Sequence, residues 1–251
     1  MTKDFTAIIL AAGKGRRANS TVPKVLIEID GRPIISHVLE TVARSKPKNI
    51  LVVVGHEAGQ VSSAADEILK KYDCEYSFVL QSPLLGTGHA IKLAVTDRND
   101  LASNIISINA DDSALLSSEN ILDFLRSHTE AMNILSLGVC AVDDCFRFGR
   151  VIASPPTVLE FVNFEENQSR SVPSALVATG AYVFDSKWLL DNLNCFYMNS
   201  SGELPIYCLA LRACDQMFRW NTYEFPRSAW ASTNTPNELT YLRSLFSNKK
   251  P

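Results

Sequence analysis

The sequence predicts an α/β fold, a mixed and mostly parallel sheet flanked by helices, with a small antiparallel extension. Three observations lead there. Apolar runs of strand length alternate with segments of helical periodicity from residue 5 to about residue 125. Phe5 to Leu10, apolar but for Thr6, and Ile50 to Val54 read as buried strands. Beyond residue 130 the alternation gives way to successive strand-like runs.

In order, Phe5 to Leu10 is the first strand, and it runs into a loop with Gly13 and Gly15. Val25 to Ile29 is a short apolar run, Asp30-Gly31 a turn signal, and Pro33 suits the first turn of a helix. Ile34, Ile35, Val38, Leu39 and Val42 recur at helical spacing up to Lys46-Pro47. Ile50 to Val54 is a strand, Val61 to Leu69 a helix, and Phe78 to Leu80 a third strand. A loop from Gln81 to Ala90, rich in glycine at its end, leads into the helix Ile91 to Val95. Ile105 to Ile108 is a fourth strand ending in Asn109-Ala110-Asp111-Asp112, and Ile121 to Leu125 lies on a helix. Strand-like runs follow at Asn133 to Val142, Val151 to Ala153, Val158 to Val162 and Leu176 to Phe184. Helices near Trp188 to Leu193 and Pro205 to Ala213 and a strand near Tyr223 complete this part. Thr235-Pro236-Asn237-Glu238 is a capping-box pattern that opens the last helix.

Composition narrows the function classes. The chain has 251 residues, 46% hydrophobic and 20% charged, with a net charge of -3, which describes an ordinary soluble domain and argues against a nucleic-acid binder. The six cysteines form no Cys-x-x-Cys pair, so free thiols are expected and zinc is not. The first apolar run is too short to span a membrane, and Lys14, Arg16 and Arg17 follow it, the wrong order for a signal peptide. A cytoplasmic protein is expected. Its oligomeric state cannot be read from the sequence.

The loop Leu10 to Leu26 concentrates the chemistry. Gly13 and Gly15 let backbone N–H groups approach phosphates, and Lys14, Arg16, Arg17 and Lys24 supply positive charge. Gly13-x-Gly15-x-x-Ala18 formally matches a dinucleotide fingerprint, but Asn19-Ser20-Thr21-Val22-Pro23 breaks the helix that fingerprint needs. No Gly-Lys-Ser/Thr P-loop occurs. In a mostly parallel sheet this loop, the Gly86 loop and Asp111 fall on the same side, at the strand ends where ligands bind. Gln81 offers an amide donor and acceptor to a base edge. On spacing alone Asp111 is equally a strand-end turn residue, and Asn234 an ordinary residue ahead of a helix.

Leu10-Ala11-Ala12-Gly13-x-Gly15-x-Arg17 with Pro23-Lys24-Val25-Leu26 resembles the signature loop of the sugar-nucleotide pyrophosphorylases, the NTP:sugar-1-phosphate nucleotidyltransferases. Leu80-Gln81 with Leu85-Gly86-Thr87-Gly88-His89-Ala90 resembles the uridylyltransferase domain of the bacterial N-acetylglucosamine-1-phosphate uridylyltransferases. The resemblance implies a Rossmann-like sheet of the nucleotide-diphospho-sugar transferase type. It implies one domain over 1–251, with a nucleotide-binding part at about 1–130, a sugar-phosphate part at 131–230 and a C-terminal helix at 231–251. It further implies nucleotide contacts from Leu10, Ala12, Gly13, Gly15, Gln81, Gly86 and Thr87, phosphate-gripping catalytic roles for Arg17 and Lys24, and sugar contacts from Gly149, Asn163 and Thr179. Mg²⁺ would sit on Asp111 and Asn234, and the partners would be an NTP, with UTP favoured, and a sugar 1-phosphate.

Departures cluster on the sugar side. Arg16 stands where the family carries a small hydroxyl residue, and Asn109-Ala110 replaces Tyr/Gly before Asp111. Asn163 stands for an acid and Ala178 for an asparagine, so the same sugar does not follow. Gly202-Glu203 is kept, but Leu204-Pro205-Ile206-Tyr207-Cys208 departs from the usual continuation. Without hexapeptide repeats, the acetyltransferase half of the bifunctional relatives is not expected. Two other readings stay open: a cytidylyltransferase acting on a sugar or non-sugar phosphate, and a degenerate module that binds a nucleotide or NDP-sugar without turnover.

Overall fold

The computed structural model describes residues 4–15, 22–143, 150–154, 158–162 and 175–247. In chain order the elements are β1 (Phe5–Leu10), β2 (Glu28–Ile29), β3 (Arg32–Pro33), α1 (Ile34–Arg44), β4 (Asn49–Val54), α2 (Ala58–Leu69), β5 (Glu75–Leu80), α3 (Thr87–Val95) and β6 (Asn104–Asn109). They continue with α4 (Ser118–Glu130), β7 (Leu135–Val142), β8 (Arg150–Ser154), β9 (Val158–Val162), β10 (Ala175–Asp185), α5 (Ser186–Asp191), α6 (Tyr207–Asp215), β11 (Trp220–Glu224) and α7 (Pro236–Ser247).

The main sheet has the order β11-β7-β10-β6-β1-β4-β5. β1 lies between β4 and β6 and is parallel to both, and β5 continues parallel to β4. β10 runs antiparallel to β6 and to β7, while β11 is parallel to β7. The antiparallel hairpin β8–β9 branches from β10 where Val177 faces Arg150. This is the mixed, mostly parallel sheet with an antiparallel extension that the alternation of periods predicts.

Alternate side chains of the central strands enter opposite layers, which explains their near-continuous hydrophobicity. Ala7 and Ile9 pack with Val38, Val42, Val61 and Leu69 of α1 and α2. Ile8 and Leu10 pack on the other face with Ile91 and Val95 of α3 and Leu209 of α6. Each such fully buried aliphatic side chain contributes about 1.5–3 kcal/mol of transfer free energy, so these central strands are a rigid base for the loops at their ends.

A third, smaller core does the positioning. Ile27, Ile29 and Ile34 meet Ala114 and Leu115 from the segment after β6, and Ala231, Leu239 and Leu242 from α7 and its approach. Three stretches far apart in sequence are thereby pinned together. α7 begins as its sequence signature requires: Thr235 Oγ1 accepts from the Glu238 N–H at 3.3 Å, and Glu238 Oε2 accepts from the Thr235 N–H at 2.9 Å.

Local differences from the sequence reading have physical reasons. Lys24–Leu26 is a 3-10 turn, and Glu28–Ile29 pairs with Arg32–Pro33 as a two-stranded ribbon. Pro33 therefore sits extended just before α1, with φ −53° and ψ 142°, and not in its first turn. Its missing N–H costs nothing at the edge of so short a ribbon. α3 starts at Thr87, four residues before the apolar periodicity becomes visible. Cys74, Cys140, Cys195, Cys208 and Cys214 are free thiols. Among the described residues no helix is long and apolar enough to cross a membrane.

Candidate functional site

Because β1, β4, β5 and β6 are parallel, the segments leaving Leu10, Val54, Leu80 and Asn109 emerge at one edge of the sheet. Between them lies a cleft of about 430 Å³. Leu10, Ala11, Ala12, Gly13, Lys14 and Gly15 line one side, Gln81, Leu84, Gly86, Thr87 and Ala90 another, and Lys24, Val25, Asn109, Asp111 and Glu203 the rest.

Lys24 is 4% exposed, and its ammonium is enclosed by oxygen atoms. Nζ donates to Asp111 Oδ2 at 2.6 Å and to Asn234 Oδ1 at 2.9 Å, and Asp112 Oδ1 stands at 3.8 Å. Gly15 makes this approach possible. It has φ +59°, and a Cβ there would fall 2.5 Å from Lys24 Cβ, so a side chain at this position would push Lys24 away. Burial, and after it the neighbouring Asp111, raise the Asp112 carboxyl above its ordinary pKa, with Lys24 opposing the shift.

Thr233 ties the Asn234 segment to the acidic one. Its N–H donates to Asp112 Oδ1 at 3.1 Å and its hydroxyl donates to the Asp111 carbonyl at 2.8 Å. The third core holds the same two segments from behind, so Lys24, Asp111 and Asn234 converge through packing as well as through their own hydrogen bonds. A buried cation already sits within this set of hard oxygen donors, and the donor chemistry fits a divalent ion such as Mg²⁺. Among the described residues no group of three His, Cys, Asp or Glu side chains could hold a metal, so such an ion would need oxygens from a ligand or water as well.

The opposite wall is built on backbone. Gln81 is 5% exposed, and its Nε2 donates to the Gly86 carbonyl at 2.8 Å, with His89 Nδ1 at 3.3 Å. The segment after Gly202 folds against this loop: the Leu204 N–H donates to the Leu85 carbonyl, the Gly88 N–H to the Leu204 carbonyl, each at 2.7 Å, and the Ile206 N–H to Thr87 Oγ1 at 3.0 Å. Gly86 adopts φ +90°, and a Cβ there would meet Glu203 Cβ at 2.9 Å. That close approach brings Glu203 into the cleft.

Of the residues expected from the sequence, Leu10, Ala12, Gly13, Gly15, Lys24, Gln81, Gly86, Thr87 and Asp111 line the cleft, and Asn234 joins it through Lys24. Thr179 does not line it. It is 3% exposed, and its hydroxyl donates to the Gly138 carbonyl at 2.9 Å, inside the sheet beside the bulge at Ala178/Tyr182. Arg17, Gly149 and Asn163 lie outside the described residues. The cleft also contains Lys14, Leu84, Asn109 and Glu203, which the sequence reading does not count as site residues. Glu203 could have been found from its Gly202-Glu203 motif and Asn109 from its place at a strand end; Leu84 has no local signal.

The chain has relatives among known proteins. The bifunctional protein GlmU of Streptococcus uberis is 35% identical over 199 residues, spanning 78% of this chain and 42% of its own length. GlmU of Streptococcus mutans is 34% identical over the same lengths. The chain thus spans less than half the length of these relatives. Among solved structures, HddC from Yersinia pseudotuberculosis matches with a TM-score of 0.73 at 18% identity, covering 96% of this chain and 99% of that one. A UDP-glucose pyrophosphorylase solved with UDP-glucose matches with a TM-score of 0.77 at 16% identity, covering 98% and 99%. These likenesses show the shared fold, and the family model described as nucleotidyl transferase matches residues 6–244. With almost its whole length inside that match, the chain belongs to the nucleotidyl transferase family of enzymes.

Proposed function

We propose that the protein joins a nucleoside triphosphate, with UTP favoured, to a sugar 1-phosphate, giving an NDP-sugar and pyrophosphate, within one domain. The observation that carries this reading is the buried ammonium of Lys24 among Asp111, Asn234 and Asp112 at the floor of a cleft rimmed by a glycine-rich loop. A phosphate oxygen of the sugar phosphate attacks the α-phosphorus in line, and the bond to the pyrophosphate leaving group breaks. No protein nucleophile is required, so catalysis rests on positioning and charge. Lys24 and Arg17 grip the phosphates, and Gly13 and Gly15 allow the backbone to approach them. Asp111 and Asn234 would hold Mg²⁺, which when bound offsets charge on the α-phosphate and the leaving group.

Base preference follows from Gln81. Its Nε2 faces both the Gly86 carbonyl and His89 Nδ1, which leaves Oε1 as the amide's acceptor. Such an acceptor suits the N3–H donor of uracil, whereas cytosine has an unprotonated N3 and would meet it only through its 4-amino group, which supports UTP. The sugar side involves Glu203 and Asn109, with Gly149 and Asn163 assigned from the resemblance. One structural neighbour, a UDP-glucose pyrophosphorylase complexed with UDP-glucose, is named for a nucleotide sugar, which is in keeping with a sugar 1-phosphate as acceptor. No nucleic acid or membrane is implied, and the chemistry fits the cytoplasm. The test is pyrophosphate release from a matrix of NTPs and sugar 1-phosphates with Mg²⁺. Release with UTP and one sugar phosphate is expected, and no release with any pair would overturn the reading.

A further inference from the structure

The amide of Asn234 has two ends, and only its oxygen serves a cation. Oδ1 faces the Lys24 ammonium at 2.9 Å, and Nδ2 donates to Ser232 Oγ at 2.8 Å. Ser232 is 5% exposed, and its hydroxyl in turn donates to Glu238 Oε2 at 3.1 Å. The same Oε2 accepts the Thr235 N–H of the helix cap at 2.9 Å. The proton arithmetic allows one arrangement. A carboxylate only accepts, so the single hydroxyl proton of Ser232 points to Glu238, and the lone pairs of Oγ remain for an N–H donor. Turning the Asn234 amide over would set its oxygen against that oxygen and its NH₂ against the Lys24 ammonium, two repulsive contacts in place of two hydrogen bonds.

We propose that Ser232 and Glu238 are positioning residues for the cation site: the capping carboxylate of α7 polarises Ser232, and Ser232 fixes Asn234 with its oxygen toward the cleft. The capping box thus has a second task besides starting the helix. The inference rests on Asn234 being a ligand of the divalent ion in the proposed reaction. Partners behind a metal ligand that fix its orientation typically account for about 10–100-fold in metal affinity.

The test is Mn²⁺ affinity, measured by electron paramagnetic resonance or calorimetry with UTP present, on folded protein. Ser232→Ala and Glu238→Ala should each weaken Mn²⁺ binding about tenfold or more. Glu238→Gln keeps an oxygen where Oε2 lies and should bind as the unsubstituted protein does. Thr235→Ala removes the other half of the cap, so it should lower Tm and leave the Mn²⁺ affinity in place. In an Asn234→Asp background, whose carboxylate has equivalent oxygens, Ser232→Ala should lose its effect, which a merely structural role would not predict. Unchanged Mn²⁺ affinity in Ser232→Ala, or an equal loss in the Asn234→Asp background, would overturn the relay alone. Failure of the unsubstituted protein to bind Mn²⁺ with any NTP would remove the functional reading and the relay with it.

Discussion

The ammonium of Lys24 and the carboxylate of Asp111, 87 positions apart in sequence, meet at 2.6 Å, and the lysine fills the space that a divalent ion would need. Ligand oxygens around Mg²⁺ lie at about 2.0–2.1 Å, so the ion and the ammonium cannot share that position. In the proposed reaction Lys24 would therefore have two tasks, neutralising the oxygen donors of Asp111 and Asn234 and, once a divalent ion takes that place, gripping phosphates.

Removing the lysine charge separates these tasks. Lys24→Met should bind Mn²⁺ more tightly than the unsubstituted protein in the absence of nucleotide, because the competing cation is gone. The same variant should lose at least about tenfold in pyrophosphate release, which is about 1.4 kcal/mol of transition-state stabilisation. Spin-resonance titration without nucleotide and a coupled pyrophosphate assay read the two effects, and an unchanged Mn²⁺ affinity would contradict the first.

Asp111→Asn keeps the shape of the side chain and removes its charge. Loss of at least about tenfold in turnover is expected, with Mn²⁺ affinity falling in parallel. A variant that kept both would remove Asp111 from the site. Its Tm, checked by calorimetry, should fall, because the buried Lys24 ammonium loses its nearest counter-charge and keeps only the more distant Asp112.

Gly15→Ala tests the route by which Lys24 reaches its position. The left-handed φ of +59° would cost an alanine about 1 kcal/mol, and its Cβ would collide with Lys24 Cβ. Urea denaturation should show that modest loss. Steady-state kinetics should show a larger one, because the displaced lysine no longer reaches either of its partners.

Acid should weaken the fold through His128. Burial lowers its pKa to about 4 in the folded protein, where it is 1% exposed and its Nδ1 lies 2.9 Å from Ser136 Oγ. The unfolded chain takes up the same proton near pH 6.5. A neutral His128 thus contributes stability that is complete above pH 6.5 and is lost as pH falls toward 4, to a total of about 3 kcal/mol. His128→Asn cannot titrate there, so its stability should fall less steeply between pH 6.5 and 4 in urea melts. A parallel slope would reject the assignment.

Where order depends on neighbours in the chain, the sequence carried it plainly. The predominantly apolar runs of β1 and β4, the periodicity of α1 and the Thr235–Glu238 box are local statements, and the fold repeats them. The cleft's glycine-rich loop and Gln81 were legible because backbone approach and amide recognition have recognisable residue types. Other features depend on contacts between distant positions. Asn234 and Lys24 are 210 residues apart, and nothing in either neighbourhood announces Ser232 as a partner. The resemblance implies a sugar contact from Thr179, and its hydroxyl donates to the Gly138 carbonyl beside the β10 bulge. Pro33 was drawn out of the helix by a ribbon of two residues a side, too short to leave a pattern.

The third core gives α7 a use as a reporter. Leu239 and Leu242 share their packing with Ile27 and Ala114, while Tyr241, on the same helix, is 46% exposed. A small fluorophore placed at Tyr241 would sit on the solvent face of a helix whose inner face abuts both sides of the cationic wall. Filling of the cleft could then be followed optically from the outer face of α7.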